Sequence, residues 1–175
     1  LLSPASGIAR ASGGDITVVG DRWAIQFPGL VAFDMSAQSG QEIVEIQLRY
    51  RPVDSHIWTY GYPNFEPGRQ VTATFNLSVN GAGFIPPGTR LEYYCIHRDA
   101  QGNVHQTQST VREYTDTRFT WEQTRIGPLV LLHHDIPQSR VAAVTKGMDE
   151  ELKRLAELLE VEDTRPIKGI IYNDR

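Results

Sequence analysis

The chain has 175 residues with 17 basic and 21 acidic side chains, a net charge of −4; it is long enough for one domain of about 110 residues plus a second, smaller unit, and it lacks the positive footprint that nucleic acid or an anionic membrane surface would select. Its single cysteine, Cys95, excludes an internal disulfide framework, so stability has to come from apolar burial and hydrogen bonding. No apolar run approaches the roughly 20 residues needed to cross a bilayer as a helix.

Residues 1–14 read as a flexible leader. They contain Ala9-Arg10-Ala11, the small-x-small form of a signal-peptidase site, which points to export, while an ordinary leader is the plainer alternative. From 15 to 120 the sequence runs as short alternating segments broken by Gly, Pro, Asn and Asp, the pattern of an antiparallel β-sandwich. Strands are expected at 23–27, 30–37, 43–51, 56–60, 71–79, 89–99 and 104–114.

Period-two alternation places Val31, Phe33, Met35 and Ala37 on one face, then Val44, Ile46, Leu48 and Tyr50, then Val71, Ala73, Phe75, Leu77 and Val79. Glu45, Gln47, Arg49, Thr72, Thr74 and Asn76 occupy the opposite faces, as they should where a sheet meets water. Two such apolar faces packed together make a sandwich. Reversals are expected at Ser39-Gly40-Gln41, Pro67-Gly68, Pro86-Pro87-Gly88 and Gln101-Gly102-Asn103, each supplying a fixed or positive φ.

Beyond 121 the pattern becomes β-α-β, a partial α/β domain over 121–175. Leu129 to Leu132 form a short strand, Asp135 is placed to cap a helix, and Pro137 is tolerated in a first turn. Val141, Val144, Met148, Leu152, Leu155 and Leu159 make one apolar stripe, with Asp149–Lys153 and Glu150–Arg154 pairing at i,i+4. The segment from Glu162 to Pro166 ends the helix, and Ile167 to Tyr172 form the next strand. A lone β-α-β unit rarely buries its own stripe, so it should dock on other structure.

Three stretches together resemble a known family: Ile85-Pro-Pro-Gly-Thr-Arg-Leu-Glu-Tyr-Tyr, Asp99-Ala-Gln-Gly-Asn103, and Tyr114-Thr-Asp-Thr-Arg-Phe-Thr-Trp121. They resemble the amino-terminal region of bacterial peptidase-MA-like proteins, from about Ile16 onward. The resemblance implies an exported immunoglobulin- or fibronectin-III-like sandwich ahead of a metallopeptidase domain of the gluzincin class, whose opening strand and helix would be Leu129 to Tyr172. It implies an extracytoplasmic bacterial location. The zinc motif of that class, H-E-x-x-H, is not present in this sequence, so the resemblance carries over no catalytic residue.

Candidate chemistry is sparse. If residues 100–102 turn a hairpin, His97 and His105 fall opposite each other with Cys95 two residues along on the same face, a set of soft ligands that zinc would accept. The plainer reading makes Cys95 a core residue continuing the Leu91 and Tyr93 face, with His97 at the rim. Trp58, Tyr60 and Tyr62 share one strand face; exposed, they would suit a sugar ring or a peptide, and buried they would be edge packing.

His133 and His134 are adjacent on a strand and point to opposite faces, so they cannot easily chelate together. Neither a Gly-x-Ser-x-Gly elbow nor a Gly-rich phosphate loop occurs. The sequence therefore points to a non-catalytic interaction or positioning module with no cofactor, whose partner is a protein or its own downstream domain. The alternatives are a fragment of an active zinc metallopeptidase, a subunit that self-associates through the helix stripe, and a carbohydrate-binding module.

Overall fold

The computed structural model describes residues 16–160 and 166–173. The expected leader 1–14, with Ala9-Arg10-Ala11, lies outside them, as do residues 161–165 of the segment expected to close the helix. The chain divides into two compact units, one ending at Thr115 and the other starting at Asp116. The division falls ahead of the expected 120/121 boundary. Trp121 Nε1 donates to the Asp116 carbonyl at 2.8 Å, and the Trp121 ring packs on His134 and Tyr172, which holds 116–121 with the second unit.

The first unit is an antiparallel, curled β-sheet of sandwich-like form. Its strands are β1 (Thr17–Gln26), β2 (Leu30–Pro52), β3 (Thr59–Gly61), β4 (Gly68–Ser78), β5 (Thr89–Asp99), β6 (Val104–Gln106) and β7 (Thr110–Tyr114). The two segments expected at 30–37 and 43–51 are one strand, β2, 23 residues long. Its first part pairs with β1 and β4, and its second part with β3 and β5. One strand thus serves both layers.

The reversal expected at Ser39-Gly40-Gln41 does not occur. Gly40 is not among the glycines with positive φ, and the segment is an irregularity inside β2 where pairing with β4 jumps between Gln38 and Ile43. The Gln41 N–H donates to Ser39 Oγ at 3.2 Å, so the local turn chemistry of serine is spent on a bend. Gly68 likewise has no positive φ and simply opens β4. Gly88 and Gly102 do adopt it, both at φ 83°, and Gly102 closes the β5–β6 hairpin.

A second irregularity corrects the expected core. Pairing with β5 shifts between Ile43 and Glu45, leaving Val44 as the extra residue of a bulge. Inward positions therefore run Val31, Phe33, Met35, Ala37 and Ile43, all buried, then change phase to Ile46 and Leu48. Val44, expected inside, is 41% exposed.

Across the two layers Phe33 meets Tyr93 edge-on at 5.0 Å, Trp23 stacks on Tyr93 at 5.9 Å, and Tyr50 meets Phe75 at 6.3 Å. One cluster joins residues of β2, β4, β5 and β7. Each fully buried large side chain contributes about 1.5–3 kcal/mol.

The single strand expected at 104–114 is two, because the register against β5 slips by one residue between β6 and β7. At the slip the Thr107 hydroxyl accepts the Cys95 N–H at 2.9 Å, and the Thr107 N–H donates to the Cys95 carbonyl.

The second unit is a three-stranded sheet, β8 (Glu122–Ile126), β9 (Leu129–His133) and β10 (Ile167–Ile171), with helix α1 (Gln138–Leu159) between β9 and β10. β9 and β10 are parallel, giving the expected β-α-β, while β8 adds an antiparallel edge. Asp135 does not cap the helix: Pro137 is the N-cap, with no side-chain cap bond, and Asp135 itself sits at φ 50°. Asp149 pairs with Lys153 at 2.7 Å as expected, but Arg154 takes Glu151 at 2.6 Å rather than Glu150. No described helix is long and apolar enough to cross a membrane.

Candidate functional site

Three groups of residues carry chemistry. The first is Cys95, His97 and His105. The hairpin register sets His97 directly opposite His105, with ring centroids 6.4 Å apart. Cys95 and His97 alternate inward along β5 and are both buried. His97 is therefore interior rather than at the rim, and among the described residues neither of its ring nitrogens has a hydrogen-bond partner. Burial pushes the Cys95 thiol up to about 12 and, with His105 adding to it, pushes His97 down to about 4. Both groups are thus neutral at pH 7, and a neutral thiol is a poor nucleophile. Among the described residues no three His, Cys, Asp or Glu side chains converge to hold a metal ion.

The second group lies at the carboxyl ends of the parallel strands β9 and β10. His133 and His134 diverge, as adjacent strand residues must. His133 Nε2 lies 3.1 Å from Thr124 Oγ1, whereas the His134 ring stacks on Phe119 at 4.0 Å and meets Trp121 edge-on at 5.1 Å. Asn173 ties the two strand ends together, its N–H donating to His134 Nε2 at 3.3 Å and its side-chain amide to the Asp135 carbonyl at 2.8 Å. Both His are buried, so the cluster is a packed joint with no open face on His134.

The third group is Trp58, Tyr60 and Tyr62, on the outer face of the layer built by β3, β2 and β5. Tyr60 is 61% and Tyr62 55% exposed, so burial as edge packing holds only for Trp58. Trp58 is half-buried between Tyr94, at 4.9 Å edge-on, and the Arg51 guanidinium, 4.4 Å from its ring centroid. Gly61, between Tyr60 and Tyr62 in the chain, faces inward and leaves room for the Phe75 ring.

The sequence pattern did not single out the residues that complete this face. Arg49 is the cross-strand partner of both Tyr60 and Tyr94, and Gln47 Nε2 donates to Tyr62 Oη at 2.6 Å. Their positions on the polar face of β2 were legible; their neighbours across β3 and β5 were not, because strand order is non-local.

No protein-family model matches this chain, and no curated protein matches it. The fold and these groups define a mainly β protein with a sandwich-like unit and a small mixed α/β unit.

Proposed function

We propose that this chain is a non-catalytic interaction and positioning module, the amino-terminal part of an exported bacterial peptidase-like protein. The observation that carries the reading is the half-covered helix of the second unit. Val141 and Thr145 are buried, but Leu155, Leu158 and Leu159 are 42%, 70% and 64% exposed. With Pro128, Leu152 and Ile167, Leu155 and Leu159 line an apolar groove of about 370 Å³. A β-α-β layer of this kind is a platform for further structure.

The sandwich supports an immunoglobulin- or fibronectin-III-like assignment. If the two parts of β2 are read as the second and third strands of such a module, β1, the first part of β2 and β4 make one sheet, and the second part of β2, β5 and β6–β7 make the other. The neutral Cys95 thiol and the enclosed His134 support a role without chemistry in this chain.

Coding sequence read past Arg175, with zinc-dependent peptide hydrolysis measured on the whole protein, tests the reading. H-E-x-x-H downstream, and hydrolysis that survives deletion of the sandwich, are expected. Hydrolysis by the isolated chain with added zinc would overturn it. The same exposed leucines favour a second reading, self-association through α1, which sedimentation equilibrium of wild type against Leu158→Glu decides.

A further inference from the structure

We propose that the outer face of the β3–β2–β5 layer binds an anionic polysaccharide, a chain of carboxylated sugars, with Tyr60 and Tyr62 stacking on sugar rings and Arg49 clamping a carboxylate. The face is laid out in three rows across the strands. Trp58 with Arg51 and Glu92 form the first, Tyr60 with Arg49 and Tyr94 the second, and Tyr62 with Gln47 and Ile96 the third.

The charges in these rows are not equivalent. Arg51 is neutralised by Glu92 at 2.7 Å, and Arg98, further along β5, faces Glu45 at 3.8 Å. Arg49 instead donates its Nε to the neutral Gln47 amide oxygen at 2.7 Å, and among the described residues no carboxylate pairs with it. A guanidinium between two tyrosines, on a chain of net charge −4, is a local site of the opposite sign. Its terminal nitrogens offer the planar fork that a carboxylate accepts in two bonds.

The aromatic geometry favours sugars over acidic peptide. Tyr60 and Tyr62 stand edge to face, 5.8 Å apart at 73°, forming a corner rather than a flat plane. A pyranose ring can lay its C–H face on one ring against the edge of the other, with hydroxyls reaching the tyrosine Oη atoms, while the buried Gln47 amide, engaged by Arg49 and Tyr62, holds both side chains in place. Tyrosine supplies such contact at low entropic cost because only two torsions are fixed. Acidic peptide has the carboxylates but no rigid apolar face for the corner. The site stands on the sandwich alone and does not depend on the peptidase-like reading.

Titration calorimetry with oligogalacturonate, neutral glucan oligosaccharides and poly-glutamate tests this on the intact chain. Binding of oligogalacturonate alone is expected, weakening with salt, with a loss of about tenfold or more in Tyr60→Ala and in Arg49→Gln. Unchanged circular dichroism and melting show that each variant is folded. Absence of oligogalacturonate binding, equal binding of the neutral glucan, equal binding of poly-glutamate, or unaltered affinity in folded Arg49→Gln each overturns the proposal.

Discussion

His97 and His105 face each other across the β5–β6 hairpin with ring centroids 6.4 Å apart, yet His97 is fully buried and, among the described residues, neither of its nitrogens is hydrogen-bonded. A buried polar ring without partners costs stability, and it costs more once protonated. The unfolded chain takes up the proton near 6.5, the folded protein only near 4. The folded pKa is lowered, so stability is full above pH 6.5 and declines as pH falls from there towards 4. His97→Leu is expected to flatten that acid limb and to raise stability at pH 7 by about 1–3 kcal/mol. Urea melts at several pH values measure both; a Leu variant with the wild-type acid slope would show that another group titrates.

The bulge in β2 makes neighbouring residues unequal. Ile43 is 0% exposed and Val44 41%. Ile43→Ala should cost about 2–5 kcal/mol. Val44→Thr should stay within about 0.5 kcal/mol, as surface changes do. Reversed sensitivities in chemical denaturation would place the phase change elsewhere in the strand.

Gly61 is required by packing rather than by backbone conformation. A Cβ there would run into the Phe75 ring, because the position points inward opposite Leu48. Gly61→Val is expected to cost about 1–3 kcal/mol through overpacking. The double variant with Phe75→Leu should recover part of that loss, a coupling that a double-mutant cycle reads directly.

In the second unit Asp116 accepts both Arg118 Nε at 2.9 Å and Arg118 Nη2 at 2.6 Å. Those bonds hold its carboxyl below the usual range although burial opposes them. A lowered folded pKa adds stability that is present above the ordinary value of 3.8 and is lost as pH falls through the folded one. Asp116→Asn should lower the melting temperature at pH 7 by about 4–8 °C, with the difference from wild type shrinking in acid. A constant difference across that range would assign the effect to packing instead.

Much of this architecture was legible in the sequence. Alternation of Val31 to Ala37 and of Val71 to Val79 marked strands with one buried face, and the i,i+3/i+4 stripe from Val141 marked the helix, because each signal depends only on the period of the backbone. The hairpin at Gln101-Gly102-Asn103, and with it the His97–His105 register, followed from glycine's tolerance of positive φ. Other elements left no local signal. β8, Glu122–Ile126, is exposed along most of its length and was missed, since an edge strand is held by its ladder to β9 rather than by apolar alternation.

What the sequence by itself determined was the class of each segment, because side-chain periodicity and turn chemistry act over a few residues. Only the tertiary structure decided that Ser39 to Glu42 bends a strand instead of ending it, that Val44 faces water, and that Arg49 lies between Tyr60 and Tyr94. Each of these depends on which strands become neighbours and in what register, and that choice is made by burial summed over the whole core.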